Sequence, residues 1–378
     1  MKEKILVTGM GMVSALGLTT NETWAGIIAG KTGISFNPLT GLSAGIPAIG
    51  LNGHKSRAGE FIIKVAKEAL TQAQLLDPKI ENYTIGCAIG QSKPLIDSNE
   101  LSATMLLSSF SGWSMEALVK KEFKLEGPST NIVAACATGI ACLSTAEYWL
   151  QNDLCDAVIV GASESSLNPL YQTGFRQMGV LCEGDSFLNV CPFDEDRSGF
   201  AMGEGASVLI LEKEGSAQKR NVQPIAILEK TVMLHNTYGR TGSDKNGKAI
   251  GRVLSKLLGD VKPNYINLHG TGTVMNDASE SMAIEDFFNT EAKSIPVSST
   301  KAATGHLLGA AGAIEAAIAV LALRDQILPP TLNLKKPIRD LDFVPNKSRL
   351  ASIQSAASLS YGFGGQLGGV LFSKRREQ

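Results

Sequence analysis

Cys136, His269 and His306 are the residues whose types and settings could do chemistry. Cys136 stands in Ile132-Val-Ala-Ala-Cys136-Ala-Thr-Gly139-Ile-Ala-Cys142-Leu, where an apolar run ends, a thiol sits at the turn and a small-residue helix begins. A thiol at a helix N-terminus feels the positive end of the aligned peptide dipoles, which stabilises thiolate and lowers its pKa. A sharp strand-to-helix turn also presents the side chain and its own backbone N–H to a substrate carbonyl. The bland alternative is a small buried core cysteine. Cys142, nearly two turns into the helix, takes that reading.

His269 opens His269-Gly-Thr-Gly-Thr273 after an apolar run, with Asn276-Asp277 close behind. A histidine at the C-terminal end of a strand, in a glycine-rich loop, is placed for a crevice rather than a core. The loop lacks the G-x-x-x-x-G-K-[ST] pattern of a phosphate cradle. Ser299-Thr-Lys301-Ala-Ala-Thr-Gly305-His306-Leu-Leu-Gly309 supplies a second histidine, a lysine before it and Glu315 further along the next helix. The chain has four histidines, and two of them fall in glycine-flanked turns. Each alone reads as structural; a thiol and two imidazoles together shift the balance to catalysis.

The elements that must position these groups alternate along the chain. Strands are predicted at Lys4–Thr8, Ala157–Val160, Val208–Leu211, Tyr265–Leu268 and Val370–Phe372, and helices at Phe61–Ala73, Ile140–Gln151, Gly247–Leu258 and Gly312–Asp325. Such alternation implies an α/β chain with largely buried sheets. The polar stretch Glu214–Gln223 is the best joint, dividing 1–214 from 223–378. The two sides echo each other. Gly199-Phe-Ala-Met-Gly-Glu-Gly205 runs into an apolar strand, as does Gly362-Phe-Gly-Gly365. Ala137-Thr138-Gly139 and Ala303-Thr304-Gly305 each precede an alanine-rich helix.

Composition excludes several classes. With 378 residues, 44% of them hydrophobic, the chain can bury a large composite core. Its 35 basic and 36 acidic residues leave a formal charge of −1, which argues against nucleic-acid binding through a general basic field. No apolar run long enough for a membrane span is free of glycine and charge. The N-terminal MKEKILVTGMGMVS reads as a first β-strand, because TGMG interrupts the apolar run a secretory signal needs. The six cysteines have no C-x-x-C spacing, so free thiols in the cytosol and no metal are expected. Gly9-Met-Gly11-Met-Val-Ser14 imitates a dinucleotide fingerprint, but its third glycine and the following acidic residue are missing.

Together these motifs resemble the β-ketoacyl-acyl-carrier-protein synthases, particularly the elongating type II branch of this thiolase-superfamily group. The likeness spans nearly the whole chain. It runs from VTGMGMVSALG through ACATG around Cys136, PFDEDRSGFAMGEGA, HGTGT and STKAATGHLLGAAGAIEA to LALRDQILPPTLNL and SYGFGG. The initiating branch typically has asparagine where this chain has His306, and chain-length-factor partners typically lack the cysteine.

The resemblance implies a thiolase fold, two duplicated α/β halves in five αβαβα layers, usually dimeric. It implies acylation of Cys136 by an acyl-carrier protein, then decarboxylative condensation with malonyl-carrier protein, without cofactor. His269 and His306 would donate to the enolate oxygen, and the N–H groups of Cys136 and Phe363 would hold the oxyanion. By the same resemblance Phe363 would also be the gate. Lys301 and Glu315 would pair to fix the His306 loop and keep its imidazole neutral, with Asp277 as further support. Lys55 and Arg57 lie where they could line the entrance for an acidic carrier.

Three departures stand out. The terminal segment reads Leu359-Ser-Tyr-Gly-Phe-Gly-Gly-Gln366-Leu367, where the family usually has asparagine at Leu359, phenylalanine at the tyrosine and a closing Thr-Asn at Gln366-Leu367. Gly90-Gln-Ser-Lys93-Pro94 replaces a glycine-rich turn near the acyl pocket. The chain is short for the branch, with residues missing in its first hundred and around 236–248. Fatty-acid elongation and a specialised polyketide or polyene pathway both remain open, as do a homodimer and a heterodimer with a chain-length partner. A non-condensing thiol acyltransferase or hydrolase would leave one histidine and the lysine without a role.

Overall fold

The structure, a computed structural model, describes residues 3–38, 41–46, 56–76, 83–93, 114–237 and 244–375. Lys55 and Pro94 lie outside the described residues. Among the described residues the main sheet has ten strands: β1 (Ile5–Val13), β2 (Ile85–Gly90), β3 (Ser129–Ile132), β4 (Ala157–Glu164), β5 (Gly205–Lys213), β6 (Ala226–His235), β7 (Tyr265–Asn267), β8 (Val297–Ser298), β9 (Ser355–Gly362) and β10 (Gln366–Ser373). Their order is β8-β7-β9-β10-β6-β1-β5-β4-β2-β3.

That order contains one pattern twice. β1 is antiparallel to β5, β5 antiparallel to β4, β4 parallel to β2, and β2 parallel to β3. β6, β10, β9, β7 and β8 pair in the same sequence with the same senses. The halves meet where Ile5 of β1 faces Leu228 of β6. The faint echo in the sequence is therefore a duplication of topology.

Five helices matter for the site: α1 (Arg57–Gln72), α2 (Thr138–Gln151), α3 (Lys248–Leu258), α4 (Val274–Phe288) and α5 (Ala311–Asp325). α2 follows β3 as α5 follows β8. These two pack on each other and each touches strands of both halves, so they form the middle layer. Every residue of α5 from Ala311 to Leu323 is buried, as an alanine- and leucine-rich helix with no polar face requires. α1 packs on β1, β5 and β4, and α3 on β10 and β6, which completes five layers. A Cβ on Gly139 would lie 2.1 Å from the Ala313 nitrogen, so the central helices cross with their backbones in contact.

The predicted elements are present, with ends that differ by up to five residues. The largest difference is at β1, which continues through Gly9 and Gly11 to Val13. A Cβ at Gly9 would meet the Ala69 carbonyl oxygen at 2.2 Å, and one at Gly11 the Val65 oxygen at 2.1 Å. These glycines let α1 lie close against the strand, which accounts for them without a nucleotide. Among the described residues no helix is long and apolar enough to cross a membrane.

Candidate active site

Cys136 sits in a 3₁₀ turn, Ala135–Ala137, that leads from β3 into α2. The preceding Ala135 has φ +48°, a left-handed conformation that costs a non-glycine residue about 1–2 kcal/mol. Thr138 holds it there: its hydroxyl donates to the Ala135 carbonyl at 2.7 Å and accepts from the Ala134 N–H at 2.8 Å. From β9, the Ser360 hydroxyl donates to the Cys136 carbonyl at 2.9 Å. The turn is thus fixed from both halves of the protein.

The surroundings of the thiol oppose the effect of its helix-terminal position. Cys136 is buried among Phe200, Met202 and Leu308. Burial pushes its thiol up to about 12; Lys301 and Lys93 pull the other way, while Glu164 and Glu315 add to the rise. Desolvation is the largest of these influences, and it holds the buried group as a thiol rather than a thiolate.

His269 follows β7, and His306 follows Gly305, whose φ of +72° turns the chain back from a short helix at Lys301–Thr304. The two rings lie 5.4 Å apart, edge to face. His306 also packs edge-on to Phe200 at 4.8 Å, and His269 to Tyr361 at 5.3 Å. Burial lowers both imidazoles well below the usual histidine range, and the nearby Lys301 charge lowers them further. Both are neutral at pH 7.

The supporting residues grip the loops rather than the cavity. The buried Lys301 ammonium pairs with Glu315 and donates to the His269 carbonyl at 2.5 Å. Lys301 itself opens the segment that leads into His306, so this bond ties that segment to the His269 loop. Burial raises the Glu315 carboxyl to about 7 against the pull of Lys301. Asp277 accepts from the Phe193 N–H at 2.8 Å and the Gly272 N–H at 3.1 Å. Phe193 is held in a strained left-handed conformation and Gly272 in a turn that glycine adopts freely, so Asp277 fixes two loops beside the site.

Sequence reasoning missed Glu280. It lies on α4 three residues after Asp277 and accepts from the His269 N–H at 2.7 Å and the Gly270 N–H at 2.8 Å. The signal was two carboxylates three residues apart on one helical face, following a loop rich in unpaired amides. Tyr361 and the pair Lys93–Glu164 were missed as well.

Cys136, His269, His306 and Phe363 line one cavity of about 270 Å³, together with Phe200, Asn236, Thr271 and Leu367. Phe363 is half-buried and precedes Gly364 and Gly365, with φ of +79° and +84°. Its ring stacks on Phe175 at 6.4 Å. Leu359 and Leu367, two of the departures, are buried with Tyr361 in one apolar cluster. Gln366 faces His235 at 3.5 Å on the surface. Arg57 is engaged by Glu204, 3.0 Å from its Nε, and by the Ile46 carbonyl, so it offers no unpaired charge for an entrance.

The model of the beta-ketoacyl synthase N-terminal domain matches residues 56–217, and that of the C-terminal domain residues 225–335. The chain is 33% identical to 3-oxoacyl-[acyl-carrier-protein] synthase 2 of Coxiella burnetii, with 99% of each chain covered. It is 32% identical to the protein of that name from Synechocystis, over 99% of this chain and 98% of the relative. Among solved structures, it superimposes with a TM-score of 0.90 and 29% identity on a ketosynthase of a type II polyketide synthase. That structure holds the ketosynthase with its acyl-carrier protein and bound to a hexaketide, and 99% and 100% of the two chains are covered. A β-ketoacyl synthase from Burkholderia phymatum gives 0.90 at 25% identity, with 99% and 100% covered.

Proposed function

The chain belongs to the β-ketoacyl synthase family of condensing acyltransferases, and from that premise we propose how its residues divide the reaction. It is a 3-oxoacyl-[acyl-carrier-protein] synthase. The half 1–214 carries the nucleophile Cys136, and the half 223–378 carries His269 and His306. The observation behind this division is one cavity lined by a thiol and two neutral imidazoles.

Acyl transfer comes first. As the Cys136 sulfur attacks the thioester carbonyl, its proton passes to a neutral imidazole and on to the departing carrier thiolate. The oxyanion forms against the Cys136 N–H and the Phe363 N–H. Gly362 leaves the first of these accessible, and Phe363 moves aside for the chain. Malonyl thioester then enters with its carbonyl oxygen toward His269 and His306. Carbon dioxide leaves, its bonding pair becomes the enolate, and N–H groups of both rings stabilise the oxygen. The enolate carbon attacks the acyl carbonyl; the Cys136 sulfur departs and regains a proton. The carrier-bound 3-oxoacyl product is released.

Carrier protein is the partner in both steps. A second chain is expected at β3, a sheet edge among the described residues that runs into exposed Val133 (57%), and α2, which touches β3, carries exposed Tyr148 (62%). An unpaired edge beside exposed apolar side chains favours association with another strand. The six free thiols support a cytosolic location. The test is mass spectrometry of the protein incubated with acyl-carrier proteins and then malonyl-carrier protein. An adduct on Cys136 that decays as a ketoacyl product appears is expected. An adduct that malonyl-carrier protein cannot discharge would leave an acyltransferase without condensation.

A further inference from the structure

One charged pair beside the thiol has no part in that scheme. Lys93 follows Gly90-Gln91-Ser92 at the end of β2, and its ammonium donates to Glu164 Oε1 at 2.9 Å and to Ser92 Oγ at 2.7 Å. Glu164 ends β4 and is buried. Its Oε2 accepts from the Ser92 and Gly309 N–H groups at 3.1 Å each, and the Ser166 hydroxyl donates to Oε1. Burial opposes ionisation here, but Lys93 and these donors hold the carboxyl below its ordinary range. The two form a fixed ion pair of no net charge, with the ammonium its partly exposed end.

An aromatic row connects this ammonium to the cavity. Phe363 lines the cavity and stacks on Phe175. The Lys93 nitrogen lies 6.0 Å from the Phe175 ring centre and 4.5 Å from that of Tyr171. Both rings pack on the cluster of Cys136, Phe200, Met202 and Leu308, and Gly309, which binds Glu164, follows Leu308 directly. The Lys93 charge is felt at both Cys136 and His306. A chain on Cys136 that extends past Phe363 along these rings therefore runs toward an ammonium group.

A saturated chain laid against that ammonium removes water from a charge and returns no hydrogen bond. A carbonyl or hydroxyl oxygen on the chain accepts one, and a hydrogen bond to a charged group is among the stronger ones. We propose that the Lys93–Glu164 pair is a specificity element at the far end of the acyl site, favouring chains with oxygen substituents over saturated chains of equal length. This deepens the reading above and rests on Cys136 as the acylated residue.

The test compares octanoyl- and 7-oxooctanoyl-carrier protein as donors to the full-length protein, with the initial rate of Cys136 adduct formation read by intact-protein mass spectrometry. The native protein is expected to favour the oxo chain by about tenfold or more. In Lys93→Met, and in Lys93→Met/Glu164→Gln, which removes both charges together, that preference is expected to vanish, mainly through faster octanoyl transfer. Lys93→Arg is expected to retain it. A preference unchanged in the double variant, or absent from the native protein, overturns the proposal and leaves the condensing reading standing. If neither donor acylates Cys136 in the native protein, the reading of the site falls, and the proposal with it.

Discussion

Gly362 stands against the backbone of Cys136: a Cβ at this position would lie 3.0 Å from the Cys136 nitrogen and 2.7 Å from the Ala134 oxygen. The end of β9 thus approaches the nucleophile turn so closely that a methyl group would cover the N–H assigned to the oxyanion. Gly362→Ala is expected to slow acylation of Cys136 by about 10²–10³-fold, the usual cost of losing one such donor. Circular dichroism should still report a folded protein. An unchanged acylation rate would remove the Cys136 N–H from the mechanism.

Replacing His306 by alanine separates the two stages. Its proposed contact is with the malonyl thioester, so decarboxylation of malonyl-carrier protein is expected to fall by about 10²–10³-fold. Acylation of Cys136 should fall by less than about tenfold, because His269 remains available as a neutral base. Equal losses in both steps would contradict an enolate-specific role.

Much of this architecture was legible because the residues carrying it are local signals. Strand-to-helix turns announced Cys136, and glycine-flanked loops announced His269 and His306. The duplication left the paired Ala-Thr-Gly segments as its trace. The cysteine's protonation state was not legible: the turn predicts a lowered thiol pKa, while the actual environment comes from Phe200, Met202 and Leu308, all distant in sequence. Arg57 could not be told from a docking cation, because its partner Glu204 lies 147 residues away. Gly9 and Gly11 imitated a phosphate turn because close helix-on-strand packing demands the same residue type.

Lys301 is expected to contribute to the acid limit of the reaction. Burial is the first cause that lowers both imidazoles, and the Lys301 charge is the second. Removing a nearby positive charge makes protonation easier, so Lys301→Met should move the histidine pKa values upward. The acid limb of malonyl decarboxylation, expected below pH 6.5 in the native protein, should then shift to higher pH. A structural role alone would reduce activity equally at every pH. A profile of decarboxylation rate from pH 5 to 8 distinguishes the two.

Glu280 links the histidine loop to the pH dependence of stability. Burial raises its carboxyl to about 8; Asp277 adds to the rise, while the Gly270 and His269 N–H groups and Lys301 oppose it. Between the ordinary carboxyl pKa of 4.5 and this raised value, the native state binds the extra proton and the unfolded chain does not. The contribution of Glu280 is therefore present at low pH and lost as pH rises through about 8. In Glu280→Gln that titration is gone, and the amide NH₂ also faces a backbone donor that the second carboxyl oxygen had accepted. The variant should be less stable by about 1–3 kcal/mol near pH 5, with the gap narrowing toward pH 8. Urea unfolding at four or five pH values measures this directly. A gap that stays constant across the range would mean that Glu280 ionises near its ordinary value and holds the His269 loop as a carboxylate throughout.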